Sequence, residues 1–222
     1  SGSRWLAIDF IPWIVLWAGF GSDGRGGWQA LAVSLALSAS VFAYRKFCNR
    51  PTAVEAANLG VFTGLLLAWP WLSAWLAPWG STVGTIWLGA IWLGTLLPES
   101  PPLTAAYSKW RYVPALWVNR TFLFVNAALT LRWGWVFVLQ GSLDVWTAAN
   151  PELMVQLTVV KFGLIVPATL ITVRYPKHGS EIRLDDPVRS DRRLRILAWC
   201  GLVTAFGLTV ATGAATAAGI FR

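Results

Sequence analysis

Charged residues are scarce in this 222-residue chain, making up 13% of it, against about 25% in an average soluble domain. It has one histidine, His178, and two cysteines, Cys48 and Cys200. Neither a histidine-based metal site nor a disulfide framework is therefore expected. The sequence also lacks a phosphate-cradling glycine loop, a nucleophile elbow and an acidic cluster for divalent cations. These absences favour a protein that is not an enzyme, with no metal and no cofactor.

Hydrophobic residues are abundant instead, at 56% of the chain, and they occur in runs near the roughly 20 residues that cross a bilayer. The runs predict an all-α integral membrane protein, a polytopic bundle of about seven transmembrane helices in one domain, 1–222. The predicted helices lie at approximately 5–20, 28–44, 54–77, 80–97, 120–141, 152–174 and 194–220.

The positive charges lie almost entirely in alternate loops, after the second, fourth and sixth predicted helices. These cations are Arg45, Lys46 and Arg50; Lys109, Arg111 and Arg120; and Arg174, Lys177, Arg183, Arg189, Arg192, Arg193 and Arg195. Lys and Arg in short loops stay preferentially on the cytoplasmic side. We therefore predict a multi-pass protein of the bacterial inner membrane, with a cytoplasmic N-terminus and a periplasmic C-terminus. The net charge of +8 then reflects topology and not a nucleic-acid partner.

Two cations fall inside predicted helices, Arg132 in the fifth and Lys161 in the sixth. Counting along each helix places both roughly 12 Å below its outer end. We therefore expect them at one depth, with no carboxylate at that level. The acids near the helices are placed at the outer mouth, as Asp144 and Glu152, or toward the cytoplasmic side, as Asp9 and Glu55.

Cations within a membrane are costly and need polar partners, and three explanations remain open. Arg132 and Lys161 face a polar interior with Asn126, Thr130 and Gln156; or they bind an anion, such as a lipid headgroup or a carboxylate; or they serve proton or ion translocation. The predicted site is therefore a ligand-binding pocket at Arg132, Lys161, Asn126 and Gln156.

Small residues mark close helix packing. Gly60 and Gly64 form a small-xxx-small pair, and the seventh predicted helix is rich in Gly, Ala and Thr. Both patterns suit packing within the bundle or a homo-oligomer. The loop 177–195 mixes both signs of charge, which suits a solvated connection, a contact with anionic lipid or a partner protein.

The chain resembles the bacterial intracellular septation protein A family over roughly residues 5–176. The resemblance rests on "FIPW" near Phe10, on "VPALW" from Val113, on Asn126 to Trp133, and on "KFGL" around Lys161. It implies a helical inner-membrane protein that serves cell-envelope integrity or septation, with envelope or division proteins as partners. The charged loop and the seventh helix depart from the family pattern. The alternative is a transporter or lipid-handling enzyme that binds an anionic substrate on Arg132 and Lys161.

Overall fold

The computed structural model describes residues 2–20, 26–48, 53–97, 101–109, 112–174 and 187–219. Several predicted loop residues lie outside these ranges: Arg50, Arg111, Lys177, His178 and Arg183. Within the described residues, every regular element is helical. The helices are α1 (Gly2–Gly19), α2 (Gly27–Phe47), α3 (Ala53–Gly94), α4 (Leu103–Ser108), α5 (Arg120–Ala149), α6 (Met154–Gly163), α7 (Ile165–Arg174) and α8 (Pro187–Ala217). Single 3-10 turns lie at Pro114–Leu116 and Pro151–Leu153.

Five helical segments are long and apolar enough to cross a membrane. They are Gly27–Phe47, Val54–Gly94, Arg120–Ala149, Pro151–Arg174 and Asp191–Ala217, with a shorter apolar stretch at Ile8–Gly19. This is the pattern of a helical membrane protein. The chain forms two compact units, residues 3–84 with 209–222, and Thr85–Leu208.

In the first unit, α3 differs from the two predicted helices because it is helical from Ala53 to Gly94. It nevertheless turns back on itself. The ring of Trp13 lies 4.8 Å from that of Phe62, and its Cζ3 lies 3.8 Å from where a Cβ on Gly84 would stand. A straight helix would separate residues 62 and 84 by about 33 Å, farther than one indole bridges. The direction therefore reverses between them.

The stretch of α3 in which the direction reverses is itself helical, although the sequence predicted a loop there. Pro70 and Pro78 lie inside it, and each removes a backbone donor and disfavours a straight helix. The reversing stretch is also held to the C-terminal part of α8. Trp75 and Trp79 donate to the hydroxyls of Thr212 and Thr216, each over 3.1 Å.

In the second unit, α5 packs against α3 without side chains between the backbones. A Cβ on Gly89 would stand 2.8 Å from the carbonyl oxygen of Gly134, so both glycines are needed for this approach. Around the contact, apolar residues of α3, α5 and α8 form a buried cluster that includes Ile86, Val138 and Ala198. Helix α5 is the most buried of the membrane-length segments.

The fifth and sixth predicted helices differ from the structure for physical reasons. Helix α5 continues to Ala149, eight residues beyond the predicted end at 141, because the polar stretch from Gln140 to Asp144 stays helical. The predicted sixth helix is divided into α6 and α7 at Leu164. Pro167 has no N–H to donate to the carbonyl of Gly163, which is where α6 ends.

Candidate functional site

The first charged site joins three helices of the first unit. Arg45, in the last turn of α2, places Nε 2.7 Å from Oε1 of Glu55 at the start of α3. Its Nη1 lies 3.4 Å from Oδ2 of Asp9 on α1. The side chains are 3%, 1% and 3% exposed for Arg45, Glu55 and Asp9. We call this set the Arg45 triad.

Packing between α1 and α2 sets the position of the triad. Gly19 lies against Ala30, and the Ser34 hydroxyl donates to the carbonyl oxygen of Pro12 over 2.7 Å. The two helices are thus antiparallel, and Asp9 comes level with the last turns of α2. One turn away, Trp13 Nε1 donates to Oδ1 of Asn58 over 3.2 Å. This bond fixes α1 against the part of α3 before its reversal, which we call the first arm; the part after the reversal is the second arm.

Within the triad, one guanidinium lies between two carboxylates. Burying a charge is tolerated where an opposite charge and hydrogen bonds replace water. With all three groups ionised the formal charge is −1, so the guanidinium also separates two anions that would repel each other. The arrangement can neutralise charge and fix helix ends.

The triad was not predicted because the sequence pattern assigned Arg45 to a cytoplasmic loop. The structure corrects this: Arg45 is helical and buried. A signal was present, since Asp9 and Glu55 both stand in or beside apolar segments at the same predicted end as Arg45. Acids in such places need a cation, and Arg45 is the nearest one to the apolar part of α2.

The second charged site joins α5 and α6 in the second unit. Lys161 Nζ lies 2.7 Å from Oδ1 and 2.8 Å from Oδ2 of Asp144, and the side chains are 27% and 22% exposed. Gln140 Nε2 also donates to the Lys161 carbonyl oxygen over 3.1 Å. The expectation that no carboxylate lies at the depth of Lys161 was wrong. Asp144 lies within α5, one turn after Gln140, and not in a loop at the outer mouth.

The structure does not bring Arg132 to Lys161. Lys161 is level with residues 140–144 of α5, and Arg132 precedes Gln140 by eight residues, about 12 Å of helix. The expected common depth was wrong because it took Gln140 as the end of α5, which continues to Ala149. The side chains of Arg132 and Gln156 are both exposed.

Asn126 on α5 holds α4 in place through hydrogen bonds. Its Oδ1 accepts from the Ser108 hydroxyl over 2.9 Å, and its carbonyl oxygen accepts from Thr104 Oγ1 over 2.6 Å. Its Nδ2 donates to the Phe122 carbonyl oxygen. Thr104 Oγ1 also lies 3.0 Å from Thr130 Oγ1. Asn126 and Thr130 thus hold a short helix in place, away from Lys161.

In the part of the chain that the structure describes, no group of three His, Cys, Asp or Glu side chains could hold a metal ion. The chain matches no protein-family model, no curated protein and no solved structure. Its class therefore rests on its own residues. The long apolar helices and their paired internal charges are those of a polytopic membrane protein.

Proposed function

We propose that the chain crosses the bacterial inner membrane seven times, with a cytoplasmic N-terminus and a periplasmic C-terminus. The crossings are α1, α2, the two arms of α3, α5, α6 with α7, and α8. The contacts of Trp13 with both arms of α3 support the count. The distribution of Lys and Arg supports the orientation.

We propose further that the protein is a structural or partner-binding component of the cell envelope and not an enzyme. The supporting observation is that its internal ionic groups pair with one another across helices, as Arg45 with Asp9 and Glu55, and Lys161 with Asp144. Ionic side chains that pair across helices hold those helices together. The role in septation rests on the sequence resemblance alone.

An oligomer is part of the proposal because two glycines of α3 face outward. A Cβ on Gly60 or Gly64 would meet nothing within 4 Å in this chain, and both residues are exposed. Small residues on an exposed helix face allow another helix to approach closely in a membrane. A second copy or an envelope protein is the proposed partner.

The alternative, an anion-handling protein with its substrate on Arg132 and Lys161, is less well supported by the geometry. It needs two cations that converge on one ligand. Lys161 is instead paired with Asp144, and Arg132 lies about two helical turns from Gln140, the residue that contacts the Lys161 carbonyl.

Complementation of a deletion strain distinguishes the two. Cells without the protein are scored for septum placement and osmotic sensitivity, then supplied with wild type, Lys161→Leu, or Asp144→Leu with Lys161→Leu. A pair that only joins helices is replaceable by two apolar residues, whereas a single change leaves one uncompensated charge. We expect rescue by wild type and by the double variant, and low abundance of the single variant.

Two results would contradict the proposal. Normal septa and normal osmotic resistance in the deletion strain would remove the envelope role. A double variant that accumulates to wild-type abundance without rescuing would make Asp144 and Lys161 a functional site, as the alternative requires.

A further inference from the structure

Arg132 lies in a groove on α5 between two other helices. The next residue, Trp133, donates through Nε1 to Thr172 Oγ1 on α7 over 2.8 Å. Three residues on, Trp135 donates to the Leu197 carbonyl oxygen on α8 over 3.2 Å. Successive side chains turn by about 100° around a helix, so Arg132 points between the directions of these two tryptophans. It is the exposed residue between the walls formed by α7 and α8.

On the same face of α5, an apolar strip follows Arg132. Leu139 and Trp146 follow Arg132 at intervals of seven residues, two helical turns, and so share its face. Leu139 is 43% exposed and Trp146 is 58% exposed. The strip from Arg132 to Trp146 is about 21 Å long, which exceeds the roughly 15 Å of one leaflet's hydrocarbon.

More cations lie at the Arg132 end of the groove. Arg174, the last residue of α7, is two residues from Thr172, and Arg195 on α8 is two residues from Leu197. Because Thr172 and Leu197 are the residues that contact α5 beside Arg132, all three arginines lie at similar levels. Among the described residues at this level, Asp191, one turn before Arg195, is an acid, and the three arginines outnumber it.

We propose that this groove binds an anionic phospholipid, with its headgroup phosphate at Arg132 and an acyl chain along Leu139 and Trp146. A guanidinium suits phosphate because it offers several donors in one plane, and basic pockets between transmembrane helices bind acidic headgroups. The apolar strip selects a lipid over an acidic peptide or a free anion. The site does not include Lys161 and does not depend on the septation role.

Native mass spectrometry of the detergent-purified protein tests the site with defined lipids. Wild type is titrated with phosphatidylglycerol and with phosphatidylcholine of the same acyl chains, with and without inorganic phosphate. The variants are Arg132→Gln and, as a matched control, Arg120→Gln, which removes an exposed arginine from the first residue of the same helix.

We expect wild type to bind phosphatidylglycerol at least about tenfold more tightly than phosphatidylcholine. We expect Arg132→Gln to lose about tenfold or more of the phosphatidylglycerol affinity, the usual size of one charge-assisted hydrogen bond. Arg120→Gln should bind as wild type does, and millimolar phosphate should not displace the lipid.

The site is overturned by equal wild-type affinities for the two lipids, a measurement that needs no variant. It is also overturned if Arg132→Gln binds as tightly as wild type, or if Arg120→Gln loses as much, which would indicate general attraction to a basic surface. Displacement by phosphate would show an anion site without the acyl groove.

Discussion

Arg45 and Glu55 join the end of α2 to the start of α3 through an ion pair of 2.7 Å between Nε and Oε1, with both side chains at most 3% exposed. The pair therefore holds the end of α2 close to the start of α3. Asp9 brings α1 to the same point.

Replacing Arg45 by Met should destabilise the protein strongly. The change removes the guanidinium from between two buried carboxylates, and breaking a buried ion pair costs about 3–5 kcal/mol. We expect a lower unfolding midpoint in denaturant titration of the detergent-solubilised protein. Lys46→Met is the matched control, since Lys46 is the next residue and is exposed. Equal stability of the two variants would show that the Arg45 triad does not hold the helices.

Asp144 and Lys161 should show energetic coupling in a double-mutant cycle that compares free energies of unfolding. Asp144→Asn and Lys161→Met each remove the ion pair and leave one partner behind, so their effects should not add. Residues in direct contact couple by about 0.5–3 kcal/mol, and we expect about 1 kcal/mol here because both side chains keep some exposure. Coupling indistinguishable from zero would show that the pair is not formed in solution.

Gly89→Ala should destabilise the second unit by about 1–3 kcal/mol, the usual cost of overpacking. The new methyl group would stand 2.8 Å from the Gly134 carbonyl oxygen and 2.9 Å from Val138 Cγ2. Gly94→Ala is the control on the same helix, because nothing lies within 4 Å of its Cβ position. Thermal unfolding in detergent compares them, and a Gly89→Ala variant as stable as Gly94→Ala would exclude the close approach of α3 and α5.

Replacing Trp13 by Phe should lower the free energy of unfolding by about 1–3 kcal/mol. It removes the donor to Asn58 Oδ1, and a buried polar atom left without its partner costs about that much. Trp13 and Asn58 are 1% and 2% exposed, so water is poorly placed to replace the bond. Trp71→Phe is the control, since Trp71 is 80% exposed. Should the two variants unfold at the same denaturant concentration, the contact between α1 and α3 is not as described.

Helix positions were predictable because apolar length is a property of local sequence. The helical class and the segments near 28–44 and 120–141 follow from hydrophobic runs alone. The helical reversal in α3 could not be predicted in this way, because Pro70 and Pro78 indicate an interruption but not its geometry. The division at Leu164 was foreseen only as a kink at Pro167.

The candidate sites were harder to predict because they depend on pairing between distant residues. Lys161 was singled out as a cation inside a helix, and the structure pairs it with Asp144. Its partner Asp144 was placed outside the helix because the polar residues after Gln140 resemble a loop. The burial of Arg45 was not predicted, because a basic residue beside Lys46 at a helix end is usually solvated. Sequence spacing does not show that Asp9 and Glu55 meet there.

Labelling with a membrane-impermeant maleimide tests the membrane topology, on which the proposed function depends, most directly. Cys48 follows α2, and Trp71 lies between the contacts that define the reversal of α3; both are exposed. In a variant without Cys200, Cys48 and a cysteine replacing Trp71 are labelled separately in intact and permeabilised cells. We predict that the cysteine at position 71 reacts from the periplasm and that Cys48 reacts only after permeabilisation. Reaction of both from the same side would contradict the reversal and the seven crossings together.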